Sequence, residues 1–416
     1  MNKRIKDILS IENLDKLANY SFVLYGFLLP LSRAAISFFS ILIFVIWIQK
    51  IIRLKDFSIF KEKSIIFFWV FLGFSALSLL WADRNYFGFG ADILRKYMYL
   101  WALPAFAAIV EKRYAKAALE AFVCSMVISS VISFLLFFQI VHINGVSADN
   151  PSPIMHHIVY SIFLALTSAL LLHRILNRDI SFQRRVFYIF LFVLVSGALF
   201  LINGRTGQVA FLAAIFVTVY LRYRFTLKSI FLSVILFFVI VFSAYHLSDN
   251  FHKRAQATVH NTIDAIKNEN YFESVGQRIG AWIIAKELLK EKPLLGYGIG
   301  SEMPAFYEYT RKDRKYRFYT ELGFPHMHSE YLQIALQVGL IGFSIFLLFL
   351  YFMFKSPTRD REIRDIKYIF LTVFILGMFT EPLISHRNFS MGLFAFLGGI
   401  VLIFSRNENA KKREVE

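Results

Sequence analysis

Apolar runs of about 18 residues or more recur along almost the whole chain, each enough to cross roughly 30 Å of hydrocarbon. Runs of that length are read as membrane-crossing helices, so the expected fold is all-α and polytopic. Composition agrees. The 416 residues are 57% hydrophobic and 18% aromatic, where a soluble domain is only about half apolar. Twelve spans are expected, at 17–32, 35–53, 64–82, 93–110, 118–140, 154–172, 186–203, 207–222, 229–246, 329–354, 367–385 and 389–405. The N-terminus, MNKRIKDILSIENLDKL, is basic but lacks a short apolar core with a small-residue cleavage site, so a retained first span is expected. The single cysteine, Cys124, lies inside an apolar run and is read as a packing residue.

The net charge of +17 invites a nucleic-acid reading, and the placement of the charges argues against it. With the N-terminus inside, 28 of the 46 lysines and arginines fall on the cytoplasmic segments. Six fall on the short outer loops (Arg33, Arg84, Arg95, Lys96, Arg205 and Arg387), and 12 on the one long loop, 247–328. Short-loop cations set orientation, so both termini are expected in the cytoplasm. The basic balance then reflects orientation and contact with anionic membrane lipids.

Three parts follow: residues 1–246 with nine spans, the large extracytoplasmic loop 247–328, and 329–416 with three spans and a cytoplasmic tail. The cytoplasmic segments hold no nucleotide-binding signature, and no internal repeat suggests the inverted halves of a transporter. Within the loop, 250–268 reads as helical. A second helix, from Arg278 to the residue before Pro293, places Ile279, Trp282, Ile283, Ala285 and Leu289 at helical spacing. That face suits a bilayer surface or the roof of a cavity. The glycines of PLLGYGIGS, 296, 298 and 300, form turns.

The stretch GFPHMHSEYLQIALQVGLIG, 323–342, joins the polar loop to an apolar span. It sets His326 and His328 where the chain re-enters the membrane, above Gly339 and Gly342, small residues suited to close helix packing. His328 can accept a proton from a sugar hydroxyl at neutral pH. The competing readings are an interfacial histidine with its hydrogen bonds satisfied, and a metal site completed by Glu381 or His386. Arg205 is the lone charge in the turn NGRT, on the side that short-loop cations avoid. It is read as functional against the alternative of a snorkelling arginine. Arg278 opens a loop helix or is an ordinary surface arginine, and Arg95 and Lys96 are a functional or a helix-end pair. Together these cations can hold a pyrophosphate, since the planar guanidinium fork suits phosphate oxygens. No Ser-His-Asp or H-E-x-x-H pattern is present.

His328, Ser329, Gly339 and Gly342, an H-S-x9-G-x-x-G pattern, resemble the signature of bacterial O-antigen ligases and the related O-antigen polymerases. R-x-G-x-W (Arg278, Gly280, Trp282), P-L-L-G-Y-G-I-G at 293–300 and the N-G-R-T-G turn with Arg205 are similar to other parts of that family's pattern. The motifs cover roughly 190–400, and the span layout extends the likeness over the chain. The resemblance implies a multi-span, inverting, metal-independent glycosyltransferase of the bacterial inner membrane, without a cofactor and with its site on the periplasmic face. Its donor would be an undecaprenyl-diphosphate-linked glycan and its acceptor a sugar hydroxyl of lipid A-core. His328 would activate that hydroxyl, and Arg205 and Arg278 would stabilise the leaving diphosphate. His326, Arg95 and Lys96 would be supporting residues. The polymerase, which extends another lipid-linked glycan, is the nearest alternative. A transporter or flippase would need ionisable groups near the middle of several spans, and a scaffold or sensor gives no reason for Arg205 in a tight turn.

Overall fold

The structure is a computed structural model and describes residues 10–413. The basic residues 1–9 and the last three of the tail lie outside the described residues. Among the described residues there are 17 α-helices and no strand. In chain order α1 to α6 are Ile11–Leu28, Arg33–Leu54, Lys63–Leu77, Phe87–Lys96, Met98–Ile109 and Lys112–Phe137. Helices α7 to α10 are His157–Ile175, Phe182–Leu201, Arg205–Tyr223 and Leu227–Leu247. The large loop contributes α11 to α14: Asp249–Lys267, Ser274–Glu291, Glu302–Lys312 and Phe318–Glu321. Helices α15 to α17, Glu330–Lys355, Arg361–Met378 and Asn388–Arg413, complete the chain.

Every expected span contains a helix, but among the described residues nine helices are long and apolar enough to cross a membrane. Three fall short for physical reasons. Helix α1 carries Glu12, Asp15 and Lys16. The span expected at 93–110 is broken at Tyr97, leaving the 12-residue α5. The span expected at 367–385 stops at Met378, four residues before Pro382, and begins in the charged turns REIRDIK.

Helix α7 is the axis of the bundle. Four-fifths or more of its most apolar window is buried, and it packs against α8, α9 and α16. Close approach of α9 to α7 depends on the N-G-R-T-G turn. A Cβ at Gly207 would stand 2.2 Å from the Ser161 carbonyl, and the Gly207 N–H donates to Ser161 Oγ at 3.0 Å. Helix α10 lies at the periphery, largely exposed to what would be lipid.

The loop builds a second core from Tyr271, Ala281, Ile284, Leu288, Phe306, Tyr319, Phe324 and Met327. Helix α12 starts at Ser274, four residues before Arg278, and its buried face is Gly280, Ala281, Ile284, Ala285 and Leu288. That face is one position off the expected one, and Ile283 is exposed at 38%. The stripe meets the loop's own aromatic residues, which displaces the apolar face expected for a bilayer. The exposed apolar stripe belongs instead to α11, with Val259, Ile263 and Ile266 at helical spacing.

Gly339 does something other than permit helix packing. Its φ of +64° breaks α15, and that break leaves carbonyls and amides of the helix unpaired. Segment 293–298 pairs them. Tyr297 and Gly298 N–H donate to the carbonyls of Leu336 and Gln337 at 2.8 and 2.9 Å, and Leu340 N–H donates to the Pro293 carbonyl at 2.8 Å. The loop is thus hydrogen-bonded into the membrane helix, which ties the P-L-L-G-Y-G segment to the H-S-x9-G segment.

Glu302, fully buried, locks this joint. Its carboxylate accepts from Gln333 and Gln337 at 2.7 and 2.8 Å and from Gly300 N–H at 2.8 Å. Gln333 in turn accepts from the N–H of Met327, the residue between the two histidines, at 3.0 Å. Burial pushes the Glu302 carboxyl from 4.5 up to about 7, against the three hydrogen bonds. A raised carboxyl pKa favours folding below the unfolded value and loses that contribution as pH rises through the folded one. The stability difference between wild type and Glu302→Gln should therefore change between pH 4.5 and about 7 and be flat above. Melting curves of both proteins across that range check it.

Candidate active site

The segments 323–329 and 379–387 meet at the loop-side end of the bundle. Ser329 caps α15, and the residue before it, His328, is held at φ +48°. A non-glycine residue there costs about 1–3 kcal/mol and persists only where its surroundings impose it. They do so from both sides. Trp282 Nε1 donates to the Met327 carbonyl at 3.2 Å, and Gln333 holds the Met327 N–H. The opposite wall is fixed by Glu330, buried, whose carboxylate accepts from the amides of Ile384 and Ser385.

Glu381 is the centre of the site. His328 Nδ1 lies 3.3 Å from its Oε2, and Arg387 Nη2 and Nε lie 2.6 and 2.8 Å from its Oε1. Burial alone would raise this carboxyl. The hydrogen bond from His328 and the charge of Arg387 outweigh it and hold Glu381 well below the usual carboxylate range. An ionised carboxylate only accepts, so His328 carries its proton on Nδ1 and keeps the Nε2 lone pair free. The His328 side chain is 19% exposed and that of His326 only 4%. Of the two, His328 is the one a substrate can reach. His326 instead accepts from the His328 N–H at 3.3 Å, and burial presses it well below its ordinary value of 6.5.

Glu381→Gln should lower turnover roughly 10²-fold or more, because an amide can donate as well as accept and no longer fixes the histidine tautomer. The loss should persist at every pH where the wild type works, since Glu381 is ionised throughout that range. Steady-state rates against pH test both points.

His326, His328 and Glu381 are also the one group of metal-ligand type among the described residues, with ligand atoms within 4.8 Å of one another. Arg387 bears on that. Its Nη2 is 2.6 Å from Glu381 Oε1 and 3.5 Å from His326 Nε2, so a guanidinium already engages one carboxylate oxygen and faces one imidazole of the group.

Arg205 is the first residue of α9, an unfavourable place for a cation beside the positive helix end. It donates to Thr258 Oγ1 and Ser274 Oγ, both at 2.7 Å, so neutral hydroxyls hold it. Arg254 and Arg278 are close enough to repel it. Arg278 is held below its ordinary value of 12.5 by burial, with Glu381 acting against that, and its Nε has no hydrogen-bond partner. Three guanidiniums with so few acidic neighbours form a site for a polyanion.

The remaining sequence candidates separate. Arg95 is exposed and pairs with Asp92 at 3.1 Å, on the short α4 and not inside a span. Lys96 turns to a pocket beside Arg387. The sequence does not single out Arg254 or Glu302; it offers Glu381 only as a possible metal ligand and Arg387 only as a cation of an outer loop. A usable signal existed: Arg33, Lys96, Arg205 and Arg387, four of the six short-loop cations on the depleted side, converge here or at that pocket.

Fold and site define a polytopic membrane protein with an oriented histidine and an arginine cluster under a helical loop. Residues 190–347 match the family described as O-Antigen ligase. The resemblance seen in the motifs is thus shown over that region, which carries His328, Arg205, Arg278 and the Gly339 break. An uncharacterized protein of Haemophilus influenzae is 25% identical over 171 residues, 39% of this chain and 42% of that one. A Rickettsia conorii protein named "Putative polysaccharide ligase" is 31% identical over 111 residues, 25% of this chain and 26% of that one. The chain matches less than half the length of either relative.

Proposed function

We propose that this protein is an inverting glycosyltransferase of the O-antigen ligase type. It moves a glycan from undecaprenyl diphosphate to a sugar hydroxyl of lipid A-core at the outer face of the bacterial inner membrane. The observation that carries the reading is the His328–Glu381 pair, with a free Nε2, set near Arg205, held by two neutral hydroxyls, and Arg278, whose buried Nε has no hydrogen-bond partner among the described residues. The family match over 190–347 supports the same polysaccharide chemistry.

In the proposed step, His328 Nε2 takes the proton of the acceptor hydroxyl. The oxygen attacks the anomeric carbon from the face opposite the diphosphate, and configuration inverts. The bond from that carbon to the phosphate oxygen breaks, and the electron pair leaves with the diphosphate. Arg205, Arg278 and Arg254 neutralise the charge developing there. Glu381 stabilises the imidazolium formed on His328, which then releases its proton to water. The donor's own phosphate ester supplies the driving force.

A deletion strain complemented with wild type tests the assignment. Core lipid A without long glycan, with full-length glycan accumulating on undecaprenyl diphosphate, supports the ligase. Core capped by a single repeat unit assigns the polymerase activity instead. Unchanged lipopolysaccharide in the deletion rules out both.

A further inference from the structure

Beside Arg387 lies a pocket of about 280 Å³. Arg33, Lys96 and Arg387 line it, with His156 and His386, and no carboxylate does. It is assembled from four separated parts of the chain: the start of α2, the end of α4, the start of α7 and the segment before α17. With the Asn388 amide turned so that its oxygen faces Arg33, that oxygen accepts from Arg33 Nε and Nη2 at 2.8 Å, a neutral partner that leaves the charge uncompensated. His386 Nδ1 is engaged with Ser385 Oγ at 2.8 Å, and its buried Nε2 has no partner. The rings of His156 and His157 are 4.1 Å apart. His156 lines the pocket, and His157 stands near both Arg254 and Arg387. One residue, Arg387, separates this pocket from the Glu381 that orients His328.

A transferase that joins two anionic substrates needs two places for negative charge, one on each side of its base. We propose that this pocket is the acceptor subsite and binds an anionic substituent, a phosphate or a carboxylate, on the acceptor sugar. This rests on the transferase reading above, with the leaving diphosphate held by Arg205, Arg254 and Arg278. The volume is near the lower end of small-molecule sites, enough for one sugar residue with its charged group. The pocket selects acceptors by charge and sets the neighbouring hydroxyl against His328.

The test is binding of lipid A-core to the purified full-length protein by native mass spectrometry. Wild type is compared with Arg33→Gln, Lys96→Gln and the exposed control Arg84→Gln. Acceptor is supplied intact, phosphatase-treated or carboxyl-reduced. Loss of one charged contact is expected to weaken binding of intact acceptor about tenfold in Arg33→Gln and in Lys96→Gln, and not in Arg84→Gln. One of the two chemical treatments should weaken wild-type binding similarly and leave the pocket variants indifferent; which one identifies the anion. In transfer assays the same variants should raise the acceptor KM and leave the donor KM within about twofold. Binding unaffected by both treatments, or pocket variants that raise the donor KM instead, overturns the subsite. If wild type binds acceptor in the charge-dependent way but transfers no glycan, the transferase reading fails and the subsite stands. Lys96, on a short surface helix, keeps the test usable if Arg33→Gln does not fold.

Discussion

Replacing His328 by alanine is expected to lower glycan transfer by about 10²- to 10⁴-fold, the usual contribution of a positioned general base. The donor KM should hardly change, because the diphosphate is assigned to arginines elsewhere. Glu381 is held ionised by its neighbours and can only accept, so the His328 proton is on Nδ1 and the accessible Nε2 is a base. His326 sits beside it but is buried, accepts from the His328 backbone and faces Arg387. His326→Ala should therefore lose activity through misplacement of His328, and its residual rate should exceed that of His328→Ala. Single-turnover rates with both variants, at matched melting temperatures, decide the assignment. Equal rates for wild type and His328→Ala would remove the base from the mechanism.

Gly339→Ala is expected to be the most disruptive single methyl group in the chain. A Cβ there would stand 2.1 Å from the Leu294 carbonyl oxygen, at φ +64°. With ψ at −173° this backbone conformation is essentially glycine-only and costs an alanine about 1–3 kcal/mol, and the collision adds to it. The chain can relieve the collision only by undocking 293–298 from α15. That would free Gln333, Glu302 and then the Met327 backbone that holds His328 in its strained conformation. Activity should fall to the level of the His328 variant although the catalytic residues are intact. Amide hydrogen exchange at Tyr297 and Gly298 should rise together with it. Gly73→Ala, where an added Cβ meets nothing within 4 Å, should leave both unchanged. Protected amides with lost activity in Gly339→Ala would break the proposed link between joint and site.

Much of this was legible in the sequence. Apolar run length gave the helices, and the exceptions to the cation bias pointed to Arg205, Arg95 and Lys96, while Arg33 and Arg387 stood among the same six cations without a role. Each of these is costly on that side of a membrane protein unless it has work there. What stayed hidden depends on contacts between distant parts of the chain. Glu381 reads at most as a possible metal ligand in a short loop until the fold sets it against the ring of His328. Gly339 reads as a packing glycine, because sequence spacing cannot report a positive φ inside a helical pattern. Arg254 is one of 12 cations in the long loop, and nothing local separates it from the rest. The number of spans is a different case. Charged first turns and the break at Tyr97 leave three of the twelve expected spans as helices shorter or more polar than the nine that are long and apolar enough to cross a membrane among the described residues.

The most direct test is reconstitution. Purified protein in lipid nanodiscs is mixed with an undecaprenyl-diphosphate-linked glycan and lipid A-core, without nucleotide and with chelator present. The account predicts glycan-bearing lipid A-core and free undecaprenyl diphosphate in equal amounts, with the new linkage inverted and His328→Ala inert. Retained configuration, a requirement for nucleotide, or an equally active His328→Ala protein would contradict it.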